Sequence, residues 1–295
     1  FTAIQPDLQE HYLRLIQPYI AHDLIQGIRI STRPDCIDDR VLELLQRYGV
    51  KTIELGVQSL NDEVLRQSGR FYQAEDVEKS CDMIKARGFK LGIQLMVGLP
   101  GDNYDHDLET VRRTIAIAPQ MVRIYPTLVL AGTRLEQMWQ EGKYQALTQE
   151  QAIPVCRDML LQFAKAEIPV IRMGLYPGEE LRKPGNIKAG PFHPSFGELV
   201  EQAVFKEQAI LAVKFFQHQY GFCQDIVIGV NQRDLSKLLG SKRSNLLSIQ
   251  HSLGLQELPV MTCQTEKRDW ISVCCDRAET EKFVLNRTEF LNYIN

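Results

Sequence analysis

Nowhere does the chain carry an unbroken apolar run near the ~20 residues needed to cross a bilayer, so no membrane partner is expected. Its first residues, Phe1-Thr2-Ala3-Ile4-Gln5-Pro6, have neither the basic region nor the apolar core of a secretory leader. They also lack a methionine, and we expect the chain to begin inside a longer protein. No two of the seven cysteines (36, 81, 156, 223, 263, 274, 275) stand at C-x-x-C spacing, so no self-contained zinc or iron–sulfur motif is present. Their odd number and scatter argue against a disulfide framework. All seven are read as reduced thiols of a cytoplasmic protein, with Cys274-Cys275 packing in an apolar run. Absent too are a G-x-S-x-G elbow, a Walker A loop, an H-E-x-x-H helix and a G-x-G-x-x-G turn. Serine-hydrolase, P-loop, zincin and dinucleotide-binding readings lose their anchors. A net charge of −3 gives no global pull toward nucleic acid.

What is present is an ordinary globular mixture, 44% hydrophobic and 24% charged, over 295 residues, enough for a large domain and a small one. Strand and helix patterns alternate over residues 1–175. Strands are expected at 27–32, 52–58, 90–98, 121–128 and 169–174. Helices are expected between them, several closed by glycines such as Gly49 and Gly88. Strands separated by helices mean parallel crossovers, and hence a β/α barrel or a doubly wound sheet. Residues 176–197 change character, with four prolines and four glycines. We expect a connecting loop that returns to the barrel mouth, His193 facing the substrate side. Residues 198–295 read as a small α+β domain: a long helix at 198–219, a strand, two short helices, two more strands and a helical end.

In parallel α/β folds ligands bind beyond the carboxyl ends of the strands. Those ends are Ser31-Thr32-Arg33-Pro34-Asp35, Gly56-Val57-Gln58-Ser59, Gly98-Leu99-Pro100-Gly101 and Tyr125-Pro126-Thr127. Gln94 sits between Ile93 and Leu95 in a strand that ought to be buried, and a buried amide must be hydrogen-bonded. A satisfied core amide and a group aimed at a ligand fit it equally. Gly98-Leu99-Pro100-Gly101 reads as a tight turn or as a backbone that a ligand approaches closely. Arg33 and Arg70 are either surface cations or carboxylate-gripping forks.

Three segments together, in order and spacing, resemble the radical S-adenosylmethionine (radical SAM) superfamily. The resemblance is to the branch of the Elongator catalytic subunit and oxygen-independent coproporphyrinogen oxidase. They are Ile30-Ser31-Thr32-Arg33-Pro34-Asp35, then Glu54-Leu55-Gly56-Val57-Gln58-Ser59-Leu60-Asn61 through to Ser68-Gly69-Arg70, then Gln94-Leu95-Met96-Val97-Gly98-Leu99-Pro100-Gly101. Arg172-Met173-Gly174-Leu175 and Ala189-Gly190-Pro191-Phe192-His193-Pro194 resemble the Elongator-like subgroup. The resemblance implies a partial (β/α)6 barrel lacking its first strands, followed by the small C-terminal domain. It implies a [4Fe–4S] cluster on three cysteines of a C-x3-C-x2-C type loop. That cluster reduces SAM, with an external electron donor, to a hydrogen-abstracting 5′-deoxyadenosyl radical. No cysteine here has that spacing, and Phe1-Thr2-Ala3 resembles the residues directly after the family's SAM-binding Gly-Gly motif. The cluster ligands are therefore expected upstream of Phe1, and the chain alone is expected to be inactive.

The resemblance also implies site residues. Gln58 and Arg70 match SAM-contacting positions, Arg70 as the carboxylate partner. Gln94 matches a polar position near the SAM ribose, and Met96 and Tyr125 match positions at the adenine. Ser31 stands where many relatives carry a ribose-binding Glu. The stretch from Val230 to Leu246 resembles a KH module whose G-x-x-G loop is altered to Gly240-Ser241-Lys242-Arg243. Lys237, Lys242 and Arg243 are its basic cluster. A plain solvated helix–turn–helix is the commoner reading of such a stretch. The implied functions are modification of RNA, such as tRNA; action on a tetrapyrrole or other small molecule; or a non-catalytic binding module on the same barrel.

Overall fold

The computed structural model describes residues 1–294 except 177, 264–266 and 276–281. It divides into two compact units, Phe1–Pro194 and Ser195–Asn295. No helix among the described residues is long and apolar enough to cross a membrane.

The first unit opens with α1 (Pro6–Ala21), β1 (Ile28–Thr32), α2 (Asp39–Arg47) and β2 (Val50–Gln58). It continues through α3 (Asp62–Gln67), α4 (Ala74–Ala86), β3 (Lys90–Val97), α5 (Tyr104–Ile117) and β4 (Met121–Pro126). Then come β5 (Val129–Leu130), α6 (Arg134–Gln140), α7 (Gln149–Lys165), β6 (Val170–Met173), α8 (Glu179–Arg182) and β7 (Ile187–Ala189). Side-chain caps start the helices where their carboxylate, amide or hydroxyl accepts an otherwise orphaned N–H. Asp38 accepts from Val41, Asn61 from Val64, Asn103 from His106 and Thr133 from Glu136.

Five strands form one parallel sheet in the order β1-β2-β3-β4-β6. Each strand adds beside its predecessor on the same side, with no reversal. A doubly wound sheet needs a switch point, so this winding is that of a barrel, with the helices on one face. Ile53, Leu55, Val57, Leu91, Ile93, Leu95, Val97, Val122 and Ile124, on the helix-covered side, are wholly buried. The alternate residues face inward and are polar or half-buried: Glu54 and Gln58 on β2, Gln94 and Met96 on β3, Arg123 and Tyr125 on β4.

Residues 187–192 return over the end of β4. Strand β7 pairs antiparallel with β5, and Gln149 Nε2 donates to Phe192 O at 3.0 Å. Neither two-residue β5 nor β7 was expected, because strands this short carry no readable alternation. His193, which comes next, is half-buried.

The second unit holds α9 (Phe196–Tyr220), β8 (Ile226–Asn231), α10 (Leu235–Leu239), α11 (Ser244–Leu253), β9 (Val260–Cys263), β10 (Trp270–Cys275), β11 (Lys282–Asn286) and α12 (Arg287–Leu291). The sheet order is β11-β10-β8-β9, with β8 and β9 parallel. The chain ends helically, as the sequence suggests, in α12, but a strand not read from the sequence, β11, precedes it and runs antiparallel to β10.

Two readings are corrected here. Cys223 and Cys275 form a disulfide, their Cα atoms 6.3 Å apart, so these two are not free thiols. Pairing of Cys275 with Ile226 brings the residues just before β8 alongside the end of β10. Lys237 does not belong to a surface cation cluster. It is 14% exposed and ion-paired to Asp269 (3.2 Å), Asp234 (3.4 Å) and Glu201 (3.8 Å), with its ammonium 5.0 Å above the Phe205 ring. Lys242 and Arg243 remain exposed, both at positive φ.

Asp234 is the buried centre of that network. It accepts from Arg268 Nε at 2.7 Å and from the Asp269 N–H at 2.9 Å. Burial alone raises its pKa, but the bonds from Arg268 and Asp269 and the charge of Lys237 overcome this and hold it below the ordinary carboxylate range. A depressed carboxyl stabilises the fold above its unfolded pKa and loses that contribution as pH falls through the folded value. We therefore expect Trp270 fluorescence, followed in a Trp139→Phe background, to report acid unfolding of this unit below pH ~4. Asp234→Ala should cost ~1–3 kcal/mol in urea at pH 7, since it leaves the Asp269 N–H without its acceptor and removes one partner each from Arg268 and Lys237. A variant as stable as the parent would show the network to be dispensable.

Candidate functional site

Strand β2 does not end as a regular strand. Its register against β3 slips between Gly56 and Gln58, and Gln58 takes φ +69°. The Ser59 N–H donates to Val57 O at 2.9 Å, closing a three-residue turn around Gln58. Such a turn at positive φ is rare and strained for a residue with a Cβ. Several neighbours hold it. Tyr72, on the way to α4, donates its hydroxyl to Gly56 O at 2.9 Å. Thr110 of α5 accepts the Leu60 N–H at 3.1 Å. A Cβ on Gly56 would stand 2.8 Å from Gln58 Nε2, so only glycine lets that side chain fold back. Gln58 Oε1 then accepts from Gln94 Nε2 at 3.4 Å. Burial pushes the Tyr72 phenol up to about 12, so it stays a donor at any ordinary pH.

A cavity of about 210 Å3 lies at the carboxyl ends of β3 and β4. Arg70, Met96, Leu99, Thr127, Arg134 and Met138 are among its lining residues, together with Ser68. Three residues of the lining, Ser68, Arg70 and Thr127, each carry a buried polar atom (Oγ, Nε and Oγ1) without a protein hydrogen-bond partner. Leaving such a group unpaired costs ~1–3 kcal/mol each, and all three belong to residues around one cavity.

The six residues singled out from the sequence fall into four places. Arg70 and Met96 meet in the cavity. Gln58 and Gln94 are bonded to each other and do not line it. The Tyr125 hydroxyl accepts from Arg123 Nη1 at 3.2 Å. Ser31 is exposed on β1. Sequence reasoning passed over Ser68, Thr127, Arg134 and Met138. Thr127 stood in the strand-end motif Tyr125-Pro126-Thr127 and Ser68 in Ser68-Gly69-Arg70, so a signal existed for those two. Arg134 and Met138, on a short amphipathic helix, gave none.

Deeper in the sheet, Glu54 is 2% exposed and ion-paired across the inner face to Arg29 of β1 and to Arg123 Nε of β4 at 3.1 Å. Gly92 of β3 lets the last pair meet, because a Cβ there would stand 3.2 Å from Met121 Cγ and 3.3 Å from Glu54 Cγ. After the Gly98–Gly101 turn come Asp102 and Asp107, two buried carboxyls. Burial raises Asp107 well above the ordinary range, and the charge of Asp102 raises it further. Burial likewise raises Asp102, partly offset by its bond with Asp107 and the backbone N–H of Asn103. Asp102 Oδ2 has no hydrogen-bond partner among the described residues, and a proton shared with Asp107 would satisfy it.

Among the described residues no group of three or more His, Cys, Asp or Glu side chains is placed to hold a metal ion. Cys36, Cys81 and Cys156 are not disulfide-bonded, and the Cys274 thiol donates to Val227 O at 3.9 Å. The residues of this chain do not fit an iron–sulfur cluster by themselves, and no step is assigned to one here.

The winding of the sheet and this strand-end cavity define a β/α-barrel enzyme class, and the comparisons agree. The radical SAM superfamily model matches residues 1–114 and the Radical_SAM C-terminal domain model residues 119–206. The chain belongs to the radical SAM superfamily. It is 34% identical over 143 residues to a tRNA uridine(34) acetyltransferase of Methanocaldococcus infernus, 48% of this chain and 26% of that protein. It is 32% identical over 180 residues to Elongator complex protein 3 of Mus musculus, 54% of this chain and 33% of that one. It thus spans a quarter to a third of these relatives. The solved structure of archaeal Methanocaldococcus infernus Elp3 with an N-terminal deletion superposes with a TM-score of 0.50 at 27% identity, covering 67% of this chain and 43% of that chain.

The acid pair gives a test of the site's scaffold. A carboxyl whose folded pKa is raised binds its proton more tightly in the folded state, so stability falls as pH rises from the unfolded value, ~3.9, toward the folded one. Asp107→Asn should stabilise the chain at pH 7 and flatten that decline in urea midpoints measured from pH 4 to 8. A variant that is destabilised at pH 7 and keeps the parent's slope would show that the pair shares no proton.

Proposed function

We propose that this chain is the SAM-binding and substrate-facing part of a radical SAM enzyme that modifies tRNA. The observation that carries the reading is that Ser68, Arg70 and Thr127, each with a buried polar atom lacking a partner, line one cavity at the strand carboxyl ends. A guanidinium with two hydroxyls suits a carboxylate, which the methionyl end of SAM carries. Met96, Leu99 and Met138 supply the apolar walls. Gln58 and Gln94, bonded to each other, offer the remaining amide groups for a ribose. Tyr125 and Ser31 complete the set proposed to hold the cofactor. When bound with a reduced [4Fe–4S] cluster, SAM supplies one-electron hydrogen abstraction. This chain's residues bind and orient the cofactor and exclude water from its cavity.

The tRNA part rests on relatives named as tRNA uridine(34) acetyltransferases and on the exposed Lys242 and Arg243 between α10 and α11. Two cations on a tight, positive-φ turn offer charge to a phosphate backbone.

Two measurements test the two parts. In equilibrium dialysis, Arg70→Ala should weaken SAM binding by ~10-fold or more, the worth of a charge-assisted bond. Unchanged affinity would remove the cavity from the SAM site. Lys242→Glu with Arg243→Glu should weaken tRNA binding and lower the slope of log K against log salt by about two. An unchanged slope would sink the RNA reading of the second unit.

A further inference from the structure

Phe71 is 90% exposed, whereas the next most exposed large apolar side chains among the described residues, Leu24, Tyr176 and Phe222, reach 69%. A single exposed apolar residue needs no explanation on a loose loop, but this segment is not loose. The Arg70 N–H before it donates to Leu65 O at 2.9 Å, closing the turn after α3. Tyr72 after it is 4% exposed and bonded to the backbone of β2 at Gly56. Two residues further on, the Ala74 N–H donates to Asp62 Oδ1 at 2.8 Å, and Gln73 with Asp76 forms a capping box for α4. With Tyr72 drawn inward, Phe71 is turned outward by a backbone fixed on both sides. Its ring is held in water, next in sequence to Arg70 of the cavity lining, where burial returns nothing to folding and little ordering entropy remains to be lost on binding.

The charge beside it is positive. Arg134 is exposed and lines the same cavity, and among the described residues it makes no hydrogen bond or ion pair. Its Nη1 lies 3.6 Å from where a Cβ on Gly69 would stand. Gly69 and Phe71 are two peptide units apart, at most ~7 Å, which is the scale of one nucleotide.

We propose that Phe71 is a stacking platform for an unstacked base of single-stranded RNA beside the cavity, with Arg134 attracting that nucleotide's phosphate. This deepens the RNA reading above and rests on it. Bases splayed from loops are recognised on rigid aromatic faces, and guanidinium groups serve the backbone. Stacking needs an aromatic face, whereas a plain apolar contact with a protein partner would need only bulk.

The test uses the full chain and a fluorescently labelled tRNA anticodon stem-loop at fixed salt. Phe71→Ala and Phe71→Leu should each weaken binding by ~5- to 100-fold, while Phe71→Trp keeps it. SAM affinity and the thermal midpoint should match the parent in all three, since Phe71 lies outside the cavity lining and is exposed. Arg134→Gln should lower the salt slope by about one. Parent-like RNA binding by Phe71→Ala, with Lys242→Glu/Arg243→Glu still defective, would overturn the stacking role and leave the RNA reading standing. Full binding by Phe71→Leu would replace stacking with a plain apolar contact. A parent chain that fails to bind the RNA at all would overturn both.

Discussion

The strained turn at Gln58 is the constraint on which the rest of the first unit depends. A regular strand would carry β2 onward. A residue at φ +69° with Ser59 bonded back to Val57 sends the chain sideways instead. That turn releases the carbonyls of Gly56 and Val57 to the Tyr72 hydroxyl, at 2.9 and 3.3 Å, and so fixes where the chain returns. Arg70 and Phe71 immediately precede Tyr72, so Arg70 reaches the cavity lining and Phe71, next to it in sequence, is turned outward. Thr110 of α5 and Gly56 of β2 are the supporting parts, one bonding the outgoing chain and the other leaving room for the Gln58 amide. Strain of this kind persists only where surroundings over-determine it, and it concentrates at ligand sites.

The second unit holds a buried polar network that is closed on itself. Within it, Asp234, Lys237, Asp269, Arg268, Arg287 and Glu201 pair with one another, and Gln208 bonds Asp269 O, Leu285 O and Arg287. Such a satisfied network rigidifies and needs nothing from outside. In the first unit, three residues of one cavity lining, Ser68, Arg70 and Thr127, each carry a buried polar atom without a partner.

Much of this was legible in the sequence, for identifiable reasons. Strand–helix alternation is a local, periodic signal, and so the five parallel strands could be read almost to their ends. Gln94 stood out because an amide between Ile93 and Leu95 breaks an apolar run. What could not be read depends on contacts between distant residues or on backbone geometry without a residue-type signature. Gln58 has no composition that announces positive φ. Lys237 reads as a surface cation until Asp269 and Glu201, from two other parts of the chain, join Asp234 around it. The Cys223–Cys275 bond needs the pairing of β8 with β10. Arg134 gains meaning only when α6 is laid beside Gly69. At Phe71, the exposure results from a neighbour being pulled inward, and no local pattern of the sequence records that.

The central claim is that SAM enters the cavity at the carboxyl ends of β3 and β4. Hydrogen–deuterium exchange of the chain with and without SAM tests it most directly. The account predicts slower exchange confined to residues 67–72, 96–101 and 127–138, with no change at the opposite edge of the sheet, where Gln26, Arg29, Lys51 and Lys90 line a separate cavity. Protection at that opposite edge, with residues 96–101 and 127–138 unaffected, would contradict it.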